Sequence, residues 1–282
     1  MCVTWMVTAF SFIEELEEES VKVPSFLKLP PAAKSFIGDA PLQRDEVGES
    51  PCEVYRFQRG SDVFFLKTSP SIYADTTYSV MREAGVLDWL SGRLSVPEVV
   101  LTARDGDGEC MITRAVPGVP LSSLVVAGKP VTGLFREALR QVQSLPAADC
   151  PFDAGAAMRL RELEYLMREG LIDEDCDLEQ WPGLSTPQDL LHHLRATAPA
   201  EDLVFSHGDL GDSNVFVDAG ERLHFIDWGR GGKADRWLDI AFVHRNLLED
   251  VSERAAASFL KELDRHDAPA KRLFFEQLDE LF

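Results

Sequence analysis

Three oxygen-bearing side chains surround a predicted β-hairpin in the last third of the chain. Asp209 and Asn214 lie five positions apart in HGDLGDSN, directly before the predicted strand VFVD, and Asp227 ends the partner strand LHFID. Because a hairpin of this size returns the chain on itself, we expect the three side chains to converge at one of its ends. Carboxylate and amide oxygens suit Mg²⁺, which often holds substrate phosphates. The alternative is an acidic turn with local side-chain caps.

A lysine and a glutamate nearer the N-terminus could serve the same chemistry. The segment VYRFQRGSDVFFLKTS predicts an antiparallel hairpin, and in its second strand Phe65 and Lys67 share one face while Phe64 and Leu66 share the other. The following segment, YSVMREAGVLDWLSGRL, predicts a helix with Glu83 at the border of its apolar face. A carboxylate there either reaches water or pairs with a buried cation such as Lys67.

The remaining pattern separates a β-rich part of the chain from a helical part. VPEVVLTARDGDGECMITRAV predicts two further strands around a DGDG turn, whereas LFREALRQVQSL and AAMRLRELEYLMREG carry apolar residues at helical spacing. We therefore predict an α+β fold in which a small, β-rich lobe precedes a larger, helical lobe, with the join near residues 113–117.

The composition restricts the partners of the chain. Its 282 residues carry a formal net charge of −20, which disfavours nucleic acid and anionic membranes and favours a cationic ligand. The alternative is that the acidic residues serve only solubility. The five cysteines include no C-x-x-C motif, so we expect a reducing cytoplasm and neither disulfides nor a zinc cluster. The apolar first thirteen residues lack a basic segment, and we predict no signal peptide or membrane helix there.

The order of these motifs resembles that of a known fold. HGDLGDSN, followed by the triplet Asp227–Gly229, is similar to the catalytic loop and metal-binding triplet of the protein-kinase-like fold. The longer motifs FSHGDLGDSN, FIDWGRGGKADRWLDIA, CPFD and DELF resemble those of the aminoglycoside 3′-phosphotransferases, especially type III, over residues 33–282. This resemblance implies a two-lobed kinase-like fold with an N-terminal lobe (29–115) and a C-terminal lobe (116–282), preceded by an extension (1–28) that the family pattern does not cover. It also implies ATP-dependent phosphorylation of the 3′-hydroxyl of aminoglycoside antibiotics, which confers resistance.

The resemblance also implies roles for individual residues. Asp209 would orient the substrate hydroxyl and accept its proton, and Asn214 and Asp227 would hold two Mg²⁺ ions. Lys67, oriented by Glu83, would bind the α- and β-phosphates of ATP.

Further residues would contact the rest of the nucleotide. Phe65 would stack on adenine, and the backbone of the linker Thr113–Ala115, which joins the nucleotide-binding N-terminal lobe to the other lobe, would read the edge of the base. No G-x-G-x-x-G motif precedes the first strand; the family uses a serine in its phosphate loop, and Ser50 matches it. The absence of G-x-x-x-x-G-K-[ST] excludes a P-loop enzyme.

Two acidic segments could bind a polycation. EGLIDEDCDLE holds six acids, and EQLDELF ends the chain. An ammonium about 5 Å from a carboxylate gains roughly 3 kcal/mol at an effective dielectric constant near 20, before desolvation. The alternative for the first segment is a solvated loop. The drug contacts implied by the resemblance are Asp177, Arg230, Arg245, Glu249, Asp279, Glu280 and Phe282 with its main-chain carboxylate. Gln180 stands where relatives tend to have an acid, which leaves the range of drugs open.

Two other functions remain possible at this point. The chain could phosphorylate another small amine or amino sugar on the same scaffold, or it could be an inactive nucleotide-binding module. The presence of Lys67, Asp209, Asn214 and Asp227 together argues against the inactive module. For a cytoplasmic aminoglycoside kinase we expect a small cationic substrate, no nucleic-acid or membrane partner, and a monomer or weak dimer. We expect His207 to shape the catalytic loop, and Phe274 and Phe275 to be core residues.

Overall fold

The computed structural model describes residues 28–45, 50–172, 178, 180–280 and 282. The strands are β1 (Gln43–Asp45), β2 (Glu53–Arg59), β3 (Asp62–Pro70), β4 (Val99–Arg104), β5 (Gly108–Arg114), β6 (Val119–Pro120), β7 (Leu203–Ser206), β8 (Val215–Val217), β9 (Leu223–Phe225) and β10 (Gly232–Asp235). The α-helices are α1 (Pro31–Ile37), α2 (Val80–Leu90), α3 (Leu121–Val126), α4 (Thr132–Gln143), α5 (Ala156–Arg168), α6 (Pro187–Thr197), α7 (Trp237–Asp250), α8 (Glu253–Lys261) and α9 (Pro269–Asp279).

The N-terminal lobe is built on an antiparallel sheet with the strand order β1-β2-β3-β5-β4. The predicted alternation along β3 is confirmed: Phe64 and Leu66 are buried, while Phe65 and Lys67 are only partly covered. Phe64 and Leu66 pack in one cluster with Ala33 of α1. Because successive side chains of a strand point to opposite faces, Phe65 and Lys67 face away from α1.

The predicted helix that carries Glu83 is also present, as α2. Ser79 caps its N-terminus by accepting a hydrogen bond from the backbone N–H of Arg82 at 3.2 Å. The helix buries Val80, Leu87 and Leu90 in the larger core of the molecule. Glu83 lies in its first turn, so its direction depends on how this end of the helix is held.

The C-terminal lobe combines helices with short strand pairs. Its core includes Phe135 of α4, Leu163 of α5, Ile240 of α7 and Phe275 of α9, and the prediction that Phe274 and Phe275 are core residues is confirmed. The β8–β9 hairpin is antiparallel, with Val215 opposite Phe225. No helix among the residues that the structure describes is long and apolar enough to cross a bilayer.

Several hydrogen bonds connect the two lobes on either side of α2. Glu162 of α5 accepts bonds from the backbone N–H and the hydroxyl of Thr77, at 2.6 and 2.8 Å. On the other side, the N–H of Phe225 in β9 donates to the carbonyl of Ser95 at 2.9 Å. These contacts fix the segments on either side of α2 to the C-terminal lobe.

Candidate active site

The hairpin brings Asn214 and Asp227 to one of its ends, and a side-chain hydrogen bond brings Asp209 to Asn214. Asn214 immediately precedes β8, and the N–H of Ile226 donates to the Asn214 carbonyl at 3.0 Å, which extends the ladder to the residue before Asp227. The side-chain amide of Asn214 donates to both the carbonyl and the carboxylate of Asp209, each at 3.0 Å. Asp209 is therefore fixed by the residue that ends its own loop.

A buried carboxylate holds the loop that runs from His207 to Asn214. Asp239 of α7 is fully buried and accepts the backbone N–H groups of His207 and Gly208, both at 2.9 Å. Burial raises the pKa of Asp239, while His207 and these two hydrogen bonds oppose the shift. Sequence reasoning did not single out Asp239, although it lies within the quoted motif ending DRWLDIA.

His207 and Gly208 have the backbone roles expected of a tight loop. The His207 ring makes a 2.9 Å hydrogen bond through Nε2 to the carbonyl of Ile226, so the predicted structural role of His207 is confirmed. Gly208 has φ of 82°, and a Cβ on it would lie 2.5 Å from the carbonyl oxygen of Arg230. Only glycine accepts this conformation and this contact without strain.

Lys67 lies between two carboxylates. Its Nζ is 2.8 Å from Glu83 Oε2 and 2.9 Å from Asp227 Oδ1. Burial alone would lower the pKa of Lys67, but Asp227 and Glu83 outweigh burial and hold that pKa well above its usual value. The same attraction holds the pKa of Asp227 below its usual value against the effect of burial. Lys67 is therefore charged at neutral pH and Asp227 accompanies it as a carboxylate, whereas burial raises the pKa of Glu83 against the opposing attraction of Lys67.

The backbone at Asp227 is unusual for its residue type. Asp227 has φ of 57°, in the left-handed region, and the next N–H, that of Trp228, donates to Glu83 Oε1 at 3.3 Å. The Trp228 ring is fully buried and lies 4.2 Å, centroid to centroid, from the His207 ring. This packing stabilises a conformation that few residues other than glycine adopt, which is common at functional sites.

The oxygen atoms of Asn214 and Asp227, at this end of the β8–β9 hairpin, fit a hard cation. Because the Asn214 amide nitrogen is bound to Asp209, the atom that Asn214 can offer is its amide oxygen. One Asp227 oxygen contacts Lys67, which leaves the other, and 45% of the side-chain surface is open to solvent although the surrounding protein atoms still desolvate the carboxylate. Among the described residues no group of three His, Cys, Asp or Glu could hold a metal ion. A cation here would therefore share its coordination with water and phosphate, as Mg²⁺ commonly does.

The sheet provides a platform beside Lys67 for the rest of a ligand. Phe65 is paired across β3 and β5 with Thr113, and its ring lies on the same face as Lys67. The backbone N–H of Ala115 donates to the carbonyl of Val63 at 3.0 Å. In this arrangement the backbone carbonyl of Ala115 is the group left to hydrogen-bond a ligand. Ser50 is half-buried at the entrance to β2.

The residues predicted to contact the drug divide into an ion-pair cluster and a cavity. In the cluster, Asp279 binds Arg230 at 2.8 Å and Arg245 at 2.6 Å, with one carboxylate oxygen to each. The Phe282 ring lies over the guanidinium groups of Arg159 and Arg230, at 4.1 and 5.7 Å from its centroid. Burial would lower the pKa of Arg230, but Asp279 and Asp209 raise it well above its usual value.

Asp279 and Arg159 are therefore buried residues that hold this part of the structure together, which the sequence did not predict. Both oxygens of Asp279 are engaged by arginines, and only 13% of its side chain is exposed. Arg159 is 1% exposed, and no pattern in the sequence indicated that it would be buried. The adjacent acid, Glu280, is different, because its carboxylate accepts a 3.0 Å hydrogen bond from the neutral Gln180.

The cavity next to this cluster has a volume of about 420 Å³ and an acidic lining. Its lining residues are Gln180, Trp181, His244, Arg245, Leu248, Glu249, Glu276 and Glu280. Since Arg245 is already paired with Asp279, the three glutamates leave the cavity with an excess of negative charge. Glu276 was not predicted from the sequence. Asp177 lies outside the described residues.

Comparison with known proteins identifies the scaffold. Residues 43–276 match the family model described as the phosphotransferase enzyme family. The chain belongs to this phosphotransferase family. An aminoglycoside 3′-phosphotransferase of Acinetobacter baumannii is 42% identical over 259 residues, which cover 90% of this chain and all of that protein. A second, from Enterococcus faecalis, is 35% identical over 91% of this chain and 99% of its own length.

A solved structure extends the similarity to three dimensions. The crystal structure of an aminoglycoside 3′-phosphotransferase of type VIII has a TM-score of 0.75 and 31% sequence identity, covering 89% of this chain and 98% of that one. The predictions of the phosphotransferase family, of its aminoglycoside 3′-phosphotransferase branch and of an α+β kinase-like fold are confirmed.

Proposed function

We propose that this phosphotransferase transfers the γ-phosphoryl group of ATP to the 3′-hydroxyl of aminoglycoside antibiotics and so confers resistance to them. The observation that carries the proposal is the convergence of Asp209, Asn214 and Asp227 next to the Lys67–Glu83 pair. The similarity to two aminoglycoside 3′-phosphotransferases, at 42% and 35% identity, supports the choice of acceptor. We place the reaction in the cytoplasm, because that is where ATP is available.

The residues at the end of the hairpin have distinct roles in this reaction. Asp209, held by the amide of Asn214, orients the acceptor hydroxyl and takes its proton as the new O–P bond forms and the bond to the β-phosphate oxygen breaks. Asn214 and Asp227 offer oxygens to two Mg²⁺ ions, which when bound neutralise charge on the phosphates. Most of the catalytic effect then comes from positioning and electrostatics.

The N-terminal lobe supplies the nucleotide contacts in this proposal. Lys67 is charged and is held in place by Glu83, so it presents an ammonium to the α- and β-phosphates. Phe65 stacks on adenine, the linker Thr113–Ala115 faces the edge of the base, and Ser50 lies in the phosphate loop. ADP leaves as the product of the transfer.

The C-terminal residues bind the amines of the acceptor. Glu249 and Glu280 line the acidic cavity, and we infer that Asp177 and Phe282 contact the amines as well. Arg230 and Arg245 hold Asp279 in place rather than leaving it to solvent. The Asp279 carboxylate then acts on the drug mainly by fixing this end of the chain.

A panel of acceptors tests the proposed reaction. We expect ATP turnover with kanamycin and neamine, which carry a 3′-hydroxyl, and none with tobramycin, which lacks it. Phosphate release and product mass measure the outcome. Binding of Mg-ATP without turnover of any of the three would contradict the proposed acceptor and would indicate a different amine or amino sugar.

The pH dependence of drug affinity tests the role of Glu280. Burial raises the pKa of the Glu280 carboxyl group above its usual value. Because an ammonium prefers the deprotonated acid, the wild-type KM for kanamycin should rise as the pH falls through this raised pKa. Glu280→Gln should raise that KM about fivefold near pH 7.5, as expected for a partly exposed ion pair.

The ratio of the two KM values isolates this effect from other titrations. The ratio of Glu280→Gln to wild type should approach one at acidic pH, because the wild-type carboxyl is then neutral as well. A ratio that stays constant from pH 5 to pH 8 would show that the charge of Glu280 does not contribute to drug binding.

A further inference from the structure

A buried glutamate connects the sheet of the N-terminal lobe to the first turn of α2. Glu109, on β5, is 3% exposed. Its Oε2 accepts a 2.6 Å hydrogen bond from the Ser79 hydroxyl and a 3.2 Å bond from the backbone N–H of Met81. Its other oxygen pairs with Arg104 of β4. Nothing in the sequence pattern had singled out Glu109.

These contacts place a fully satisfied carboxylate at a helix N-terminus. A buried carboxylate is costly unless it is hydrogen-bonded and paired with a cation, and Glu109 has both kinds of partner. The free N–H groups and the dipole at the start of a helix also favour a negative charge there. Ser79 is the N-cap of α2, so Glu109 binds the cap residue itself.

The sheet register connects this contact to the nucleotide site. Lys67 of β3 is opposite Met111 of β5, and two positions along the same pair of strands Ser69 is opposite Glu109. Glu83 lies in the first turn of α2, and its N–H donates to the carbonyl of Ser79 at 3.1 Å. Glu109 therefore ties the helix turn that carries Glu83 to the strands that carry Lys67.

We propose that Glu109 is a positioning residue for the nucleotide site, which sets the distance between Lys67 and Glu83 by anchoring the start of α2 to the sheet. The inference rests on the proposed function, in which Lys67 binds the phosphates of ATP. It adds a residue that contacts neither nucleotide nor drug.

A second anchor shows which way α2 would move without Glu109. Arg82 donates to the carbonyl of Gly231 at 3.1 Å and to that of Asp153 at 2.8 Å, both in the C-terminal lobe. If the Glu109 carboxylate is removed, Arg82 still holds the first turn of α2 to the C-terminal lobe. Glu83 would then stay with the backbone N–H of Trp228, while the sheet that carries Lys67 loses one of its ties to α2 and can shift away from Glu83.

Equilibrium binding of Mg-ATP to the full chain tests this proposal without an acceptor. Glu109→Ala should raise the Kd about tenfold, and Glu109→Gln, which keeps an acceptor for Ser79 and Met81, should raise it no more than about threefold. Asp105→Ala is the matched control: Asp105 caps the turn of the same β4–β5 hairpin and should leave the Kd within about twofold. In steady-state assays with kanamycin, Glu109→Ala should raise the KM for ATP and not that for the drug.

Ser79→Gly provides a second route if Glu109→Ala does not fold. Glycine is a tolerable N-cap but lacks the hydroxyl that donates to Glu109, so the Kd should rise about threefold. The loss of stability should stay below that of Glu109→Ala, because the Met81 N–H and Arg104 still bind the carboxylate. An unchanged Kd in the folded variants would overturn the role of Glu109. Failure of the wild-type chain to bind Mg-ATP would instead overturn the proposed function.

Discussion

Asp209→Asn should lower kcat by about 10³-fold or more and leave the Kd for Mg-ATP within about twofold. Asparagine has the shape of aspartate and its amide oxygen can still accept the hydrogen bond from Asn214, so the loop should keep its conformation. It cannot accept the proton of the acceptor hydroxyl. Steady-state phosphate release and equilibrium nucleotide binding, measured on the same preparation, separate the two effects.

A carboxylate at the other end of the same hairpin provides the control. Asp218 accepts the backbone N–H groups of Gly220 and Arg222, which an asparagine oxygen can also do. Asp218→Asn should therefore leave kcat nearly unchanged. Retention of most of the turnover in Asp209→Asn would rule out Asp209 as the base.

Asp279→Ala should reduce the free energy of unfolding by about 3–5 kcal/mol, the usual cost of removing one partner from a buried ion pair. The alanine would leave Arg230 and Arg245 without the carboxylate that each contacts at less than 3 Å, and their side chains are only 17% and 29% exposed. Urea unfolding followed by circular dichroism measures the change. The KM for kanamycin should rise as well, since the end of the chain loses its anchor.

An exposed ion pair shows what the burial of Asp279 contributes. Glu169 pairs with Arg168 at 2.9 Å on the surface, with 37% and 67% of their side chains exposed. Glu169→Ala should cost at most about 1 kcal/mol. Equal losses of stability in the two variants would contradict a buried, structural ion pair at Asp279.

The parts of the site that sequence reasoning predicted are those whose positions follow from local pattern. The alternation around Lys67, the helix of Glu83 and the hairpin between Asn214 and Asp227 each depend on a few neighbouring residues. Their order along the chain resembled a known fold, and the resemblance supplied the pairing of Lys67 with Glu83.

The residues that sequence reasoning missed act across long separations. Asp239 accepts hydrogen bonds from a loop more than thirty residues earlier in the chain. Arg159 packs against the ring of Phe282. Glu109 accepts a hydrogen bond from the helix cap Ser79, 30 residues away. Each is a charged residue whose burial depends on tertiary packing. A single acid or arginine in a sequence does not show whether solvent or another side chain will surround it.

The sequence predicted that both Asp279 and Glu280 contact the drug, whereas the structure gives them different surroundings. Asp279 and Glu280 are adjacent, yet Asp279 is enclosed by two arginines and Glu280 faces a cavity with a neutral hydrogen-bond partner. The helix that ends at Asp279 turns successive side chains to different surroundings. The arginines that decide the outcome lie 34 and 49 residues earlier in the chain.

The clamp of Arg230 and Arg245 on Asp279 also bears on how the enzyme could change under selection. If Glu249 and Glu280, on the cavity wall, bind the amines as proposed, exchanging either of them should change drug affinity more than folding stability. A change at Asp279 carries a loss of folding stability as well. An inhibitor that binds mainly to Arg230, Arg245 and Asp279 would therefore leave fewer escape mutations that still allow folding. An inhibitor that binds mainly to Glu249 and Glu280 would leave more.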